Sequence, residues 1–154
     1  MNRLDLENYI SETFSATGEQ LFAKYPSFRV FRHLGNRKWF AVIMDIPRKN
    51  LGLSEYGEIS VVNLKCDPIL IGSFREEPGI FPAWHMNKSH WLSVALDGTA
   101  SDDSLLFLLG MSYELTKNEE VVRPLPHFSL IALILFRFRQ SLQQNYGIGH
   151  HKHA

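Results

Sequence analysis

Ten consecutive residues, Pro82-Ala83-Trp84-His85-Met86-Asn87-Lys88-Ser89-His90-Trp91, bring together two histidines, an amide, a lysine and two indoles. Lys88 can neutralise a phosphate, Asn87 and His85 can hydrogen-bond a base edge or a backbone, and Trp84 can stack on a base. The same residues also suit structural duties. Asn87 can hold a turn through its side chain, and Trp91 can fill a core. Metal binding is a poorer fit. His85 and His90 are five apart, which matches neither a helical i,i+4 pair nor zinc-ligand spacing. The terminal His150, His151 and His153 sit on a tail and would catch a metal only adventitiously. No metal or other cofactor is expected.

A second cluster is purely cationic. Between Lys24 and Lys49 lie Lys24, Arg29, Arg32, Arg37, Lys38, Arg48 and Lys49, against Asp45 alone, so seven minus one leaves +6 on that window. The whole chain has 16 basic and 16 acidic residues and no formal net charge. That balance argues against a strongly basic nucleic-acid binder but permits a local positive face. The alternative is that a hairpin carries solvated Lys and Arg to protect its sheet edge. The candidate contacts for a phosphate backbone are Arg29, Arg32, Arg37, Lys38, Lys65 and Lys88, together with Trp84, His85 and Asn87.

Catalysis is not expected. A covalent mechanism needs an activated nucleophile, a base and an orienting group. Cys66 follows Lys65, which could lower its pKa, yet it stands at a strand-to-helix junction where a small residue usually packs. Ser89 lacks the flanking glycines of a nucleophile elbow. Neither a phosphate-binding P-loop nor a dinucleotide fingerprint occurs.

These residues must be positioned by a small set of elements. Leu4, Leu6, Tyr9, Ile10 and Phe14 recur at helical spacing from about Asn2 to Ser15. Phe28–His33 and Lys38–Asp45, separated by Leu34-Gly35-Asn36-Arg37, read as a hairpin. Glu58–Lys65 reads as a third strand. Asp67 then caps a short helix with Pro68 in its first turn and Leu70, Ile71 and Phe74 as its buried stripe. A loop through Pro82 leads to a fourth strand, Trp91–Leu96. Ser101 caps a last helix with Asp102 and Asp103 in its first turn and Leu105, Leu108, Leu109, Ser112 and Tyr113 along one face. This order predicts one α+β domain over residues 1–118, an antiparallel sheet with helices packed on one face and the other face partly open for binding.

Residues 119–154 read as an extension: a charged linker, a nine-residue apolar run Phe128–Phe136, and a disordered end. Left exposed, that run would be a sticky patch, which predicts docking onto the domain or a homodimer through Phe128–Phe136. It is far short of the ~20 apolar residues that span a bilayer. With no apolar leader and one cysteine, the chain reads as cytoplasmic.

Residues 1–118 resemble the MmcQ/YjbR family. The carrying segments are Lys38-Trp39-Phe40-Ala41, Val62-Asn63-Leu64-Lys65 with Cys66-Asp67-Pro68, His85-Met86-Asn87-Lys88 with His90-Trp91, Leu96-Asp97-Gly98 and Ser112-Tyr113-Glu114-Leu115. The resemblance implies a frataxin-like (CyaY-like) two-layer sandwich, a fold also compared with secretion chaperones. It implies a role as a non-catalytic DNA-binding protein with a double-wing motif. Weak, sequence-indifferent DNA contact through the hairpin and the His85–Trp91 loop is the reading adopted. The alternative is a protein-interaction or chaperone-like module using the open sheet face.

Overall fold

A computed structural model describes residues 1–54 and 56–117. The expected extension, its apolar run and its dimer contact lie outside the described residues. Helix α1 spans Arg3–Phe14 and is closed at its start by a capping box. The Asn2 side chain accepts from the Asp5 amide, and the Asp5 carboxylate accepts from the Asn2 amide. It stops at Ser15, which takes a left-handed conformation, φ 52°. Leu6 and Ile10, one helical turn apart, are fully buried. Leu4 was expected on the same stripe but is 66% exposed, since it lies about 200° around the helix from Leu6.

Strands β1 (Arg29–Arg32) and β2 (Trp39–Pro47) form the expected hairpin. Strand β3 is Glu58–Lys65, helix α2 is Pro68–Phe74, and β5 is Trp91–Ala95. Helix α3 runs Asp102–Lys117, with the Ser101 hydroxyl accepting from the Ser104 amide at 3.1 Å. A short edge strand, β4 (Ile80–Pro82), stands where a loop was expected. Three residues ending in proline give almost no strand signal, and proline is tolerated because the edge needs no donor there. The sheet order is β1-β2-β3-β5-β4, antiparallel throughout.

One sheet face carries Phe31, Ala41, Ile43, Val62, Leu64, Leu92 and Val94, which pack against the helices. Leu105, Leu108 and Leu109 of α3 are buried with them. The other face was expected to be partly open, and it is not. Val30, Val42, Met44, Ile46, Ile59, Val61 and Ala95 are buried there under Phe22, Trp39, Leu51, Leu53, Phe81 and Trp84. The cover comes from the segment before β1, the turn after β2, the edge strand and the β4–β5 loop. The aromatic members lock edge to face: Phe22 meets Phe28 at 6.1 Å and Trp39 at 5.9 Å, and Phe28 meets Trp84 at 6.4 Å.

A β-bulge makes two-sided burial workable. Arg32 pairs with Trp39 and Phe31 with Ala41, so Phe40 is an extra residue. Phe40 thereby turns to the helices with Phe14 and Tyr113, while Trp39 stays on the opposite face. The β2–β3 ladder ends at Ala41↔Leu64. Just beyond it, the Ser112 hydroxyl of α3 donates to the Phe40 carbonyl at 2.5 Å and accepts from the Lys65 amide at 2.7 Å. One buried side chain thus satisfies two backbone groups that the ladder leaves behind.

Two glycines test the backbone. Gly79 sits at φ 77°, and a Cβ there would lie 2.4 Å from the Ala100 amide nitrogen. Gly79→Ala is expected to destabilise the fold by on the order of 3 kcal/mol, from a strained φ plus a backbone clash. Gly110, inside α3, has nothing within 4 Å of such a Cβ. Gly110→Ala is expected to stabilise by about 0.5–1 kcal/mol. Urea midpoints of the two variants would separate in opposite directions from the parent.

A buried histidine gives a pH test. His33 is 7% exposed, and burial lowers its pKa below 6.5. The unfolded chain therefore takes up this proton more readily than the native one. The stability contributed by neutral His33 is present above the unfolded pKa and lost as pH falls from that value toward the folded one. Melting temperature is expected to drop as pH is lowered through about 6.5, and less so in His33→Gln.

Candidate nucleic-acid interface

The cationic hairpin does not present the charge that its sequence suggests. Glu19, outside the +6 window, reaches β1 through a single antiparallel bridge to Val30. Its carboxylate accepts from Arg32 Nε at 2.8 Å and from Arg32 Nη2, a two-pronged pair, and lies 3.2 Å from Arg37 Nη2. The Arg32 guanidinium holds the Glu19 carboxyl below the usual carboxylate range, and Glu19 in turn raises Arg32. Arg29 donates to the carbonyls of Pro26 and Phe28 at 2.7 and 3.0 Å, so its guanidinium is turned onto its own chain. Arg29 and Arg32, three apart on a strand, belong to opposite sheet faces. Arg48 lies 3.9 Å from Asp97, and the window's own acid, Asp45, pairs with Arg3 at 2.6 Å. Lys38 is half-buried and is not without a partner. Arg29, Arg32 and Arg37 are thus turned onto protein acceptors within and beside the hairpin.

The loop between β4 and β5 is built differently. Two small polar residues inside apolar strands hold it. Asn63 of β3 and Ser93 of β5 are cross-strand partners, 1% and 0% exposed. The Ser93 hydroxyl donates to Asn63 Oδ1 at 2.5 Å and accepts from the Trp84 amide at 2.9 Å. The Asn63 side-chain amide donates to the Trp84 carbonyl at 2.8 Å. Both backbone groups of Trp84 are thus clamped from below. His85 then takes φ 56°, and its ring stands against Trp84 at 3.9 Å. Asn87 serves the turn. Its side chain accepts from the Ser89 amide, and its carbonyl accepts from the amides of His90 and Trp91. The His90 carbonyl accepts from the Cys66 amide at 2.8 Å, tying the loop's end to the start of α2.

This rigid frame displays His85, Asn87, Lys88 and His90 as exposed side chains, with Trp84 and Trp91 half-buried. Lys65, half-buried, pairs across the ladder with Trp91 on the same face. No Asp or Glu occurs between Glu77 and Asp97. The arrangement offers two lysines and two indole surfaces, on a loop that has no Asp or Glu of its own. The sequence signal for the clamp was present, because a lone Asn in Val62-Asn63-Leu64 and a lone Ser in Leu92-Ser93-Val94 interrupt otherwise apolar strands. Of the predicted contacts, Lys65, Trp84, His85, Asn87 and Lys88 attach to this frame. Arg29, Arg32, Arg37 and Lys38 belong to the hairpin, where Glu19 pairs with Arg32 and Arg37.

The geometry does not arm Cys66 as a nucleophile. Burial, and secondarily the Asp67 charge, push the Cys66 thiol up to about 12, so Lys65 does not activate it. Among the described residues no group of three His, Cys, Asp or Glu side chains could hold a metal ion, and no helix is long and apolar enough to cross a membrane.

These features define an α+β domain: a five-stranded antiparallel sheet, three helices and a clamped loop at one sheet end. The YjbR family profile matches residues 13–115, and the chain belongs to the MmcQ/YjbR family. It is 34% identical over 117 residues to the uncharacterised protein YyaQ of Bacillus subtilis, covering 76% of this chain and 99% of that one. A 58-residue stretch is 36% identical to the uncharacterised protein YjbR of Escherichia coli K12, covering 37% of this chain and 49% of that one. A crystal structure of a Pseudomonas syringae protein superposes with a TM-score of 0.74 at 39% identity, covering 75% of this chain and 99% of that one. Protein DR2400 of Deinococcus radiodurans shares the fold at a TM-score of 0.58 and 24% identity, covering 79% and 83% of the two chains.

The clamp can be tested directly. Asn63→Ala leaves the Ser93 hydroxyl and the Trp84 carbonyl short of partners in a buried setting, and is expected to destabilise by about 1–3 kcal/mol. Amide exchange at Trp84 and His85 should rise more than at Val42 or Val61. Uniform acceleration across all four would mean that the clamp is not local.

Proposed function

We propose that this protein is a non-catalytic DNA-binding domain that contacts phosphates through Lys65 and Lys88 and apposes bases or sugars with Trp84 and His85. The observation that carries this reading is the acid-free, clamped loop, which presents the exposed Lys88 and two half-buried indoles next to the half-buried Lys65 of β3. Phosphate contacts supply affinity without sequence information, and an aromatic surface adds sequence-tolerant stacking. The number of free lysines is small, so binding should be weak, and the zero net charge supplies no long-range attraction beyond the loop's own. The frataxin-like arrangement and the cytoplasmic setting belong to the same reading. Within it the paired hairpin arginines serve folding, which departs from a wing-like use of the hairpin. The alternative module, docking a partner on an open sheet face, has lost its surface to the aromatic and aliphatic cover.

Titration of labelled single-stranded and duplex DNA into the full chain, at low and moderate salt, tests the proposal. Affinity should fall steeply with salt. Lys65→Glu with Lys88→Glu should weaken binding at least about tenfold and flatten the log–log salt slope by about 2, one unit per lost phosphate contact. Arg37→Gln should change little. Absence of binding at low salt, or a double variant that binds like the parent, would defeat the reading.

A further inference from the structure

A pocket of about 260 Å³ opens where the β1–β2 turn meets the ends of α1 and α3. None of the clamped-loop residues lines it. Among the described residues its walls are Phe14, His33, Phe40 and Tyr113, with Arg32 and Lys117 as the charged ones. The four rings form one cluster: Tyr113 lies 4.4 Å from Phe14, 4.4 Å from His33 and 5.1 Å from Phe40. At these separations the rings already touch, so a ligand ring would lie against the half-buried side of the cluster, on Phe14 and Tyr113, with the tilted or edge-to-face geometry that aromatic groups prefer. An apolar cavity of roughly 150 Å³ already admits benzene, so this one has room for a single ring and one substituent.

The polar groups decide what that substituent is. Arg32 is occupied by Glu19 and contributes mainly its stem. Both N–H groups of the Asn36 amide go to the carbonyls of Thr116 and Lys117, at 2.9 Å each, and its oxygen accepts from the Lys38 amide. His33 Nε2 lies 2.8 Å from the Thr116 hydroxyl, which itself donates to the Ser112 carbonyl at 2.7 Å. That order makes Nε2 the donor and leaves Nδ1 as the acceptor of a neutral ring. Lys117 is different. Its ammonium lies 5.8 Å from the centre of the Tyr113 ring, and its partner Glu114 is 3.9 Å away and 70% exposed. Such a solvated pair holds the lysine weakly. The ammonium can therefore turn to an anion seated over Tyr113.

We propose that this pocket binds a small monocyclic aromatic carboxylate, its ring against Phe14 and Tyr113 and its carboxylate on Lys117. The pocket selects against cations, because both charged residues of its described lining, Arg32 and Lys117, are positive.

The test is an NMR titration of the full chain with 4-hydroxybenzoate, benzylamine and cyclohexanecarboxylate as probes. Saturable shifts at Phe14, His33 and Tyr113 with 4-hydroxybenzoate are expected, with benzylamine silent there and cyclohexanecarboxylate weaker. Lys117→Gln, at an exposed helix end where folding is not at risk, should weaken 4-hydroxybenzoate about five- to tenfold, as loss of a charge-assisted contact does. Arg37→Gln, outside the lining, should leave it unchanged. Shifts that never saturate, equal response to benzylamine, or unchanged affinity in Lys117→Gln would overturn the proposal.

Discussion

A sheet buried on both faces has no solvent to repair a broken ladder, and this constraint governs the whole domain. The break falls at Phe40, where β2 carries an extra residue. Without a partner, the Phe40 carbonyl and the Lys65 amide would be stranded polar groups at the centre of the fold. Ser112 answers both with one hydroxyl, and it does so from α3 rather than from the sheet. The helix is therefore fixed in rotation as well as in place. Leu105, Leu108 and Leu109 can pack only in the register that puts Ser112 over the bulge. The same register sets Tyr113 beside Phe14, Phe40 and His33.

The second face repeats the solution with different chemistry. Asn63 and Ser93 form a buried polar pair whose capacity is spent on the backbone of Trp84. A polar network in a core is costly when half satisfied and rigidifying when complete. Here no buried side-chain nitrogen or oxygen among the described residues lacks a partner. The indole of Trp84 then covers the same hydrophobic cluster that Phe22, Trp39 and Phe81 cover from other directions. Core closure and loop presentation are one event, which is why a surface of mixed lysine, histidine and indole can be stiff.

Local features of this fold were legible in the sequence and distant ones were not. Asp67-Pro68 and Ser101 announced their helices because a cap is satisfied within three residues, and the first helix showed in its apolar spacing. The hairpin and β3 followed from alternation and a turn. The edge strand β4 was hidden by its length and by Pro82. Two-sided burial had a signal, the unbroken run Phe40-Ala41-Val42-Ile43-Met44, since a strand facing water on one side would alternate. Glu19 had none. Counting charges along a window treats neighbours in sequence as neighbours in space, and a single bridge to Val30 was enough to bring in an acid from outside. The loop was recognised by its residue types, but the clamp beneath it joins positions 21 and 30 residues apart. Such pairing is fixed by strand order, which no local pattern encodes.

The lone thiol has a use that follows from where it sits. Cys66 is 1% exposed, at the seam where β3 passes into α2, with its own amide tied to the far end of the loop. A reagent that consumes thiolate finds almost none in the closed molecule, because the group ionises near pH 12. Alkylation must wait for the seam to part. Its rate, followed at increasing reagent concentration, is then a clock for that opening, and a native chain carries the chromophore-free reporter already installed.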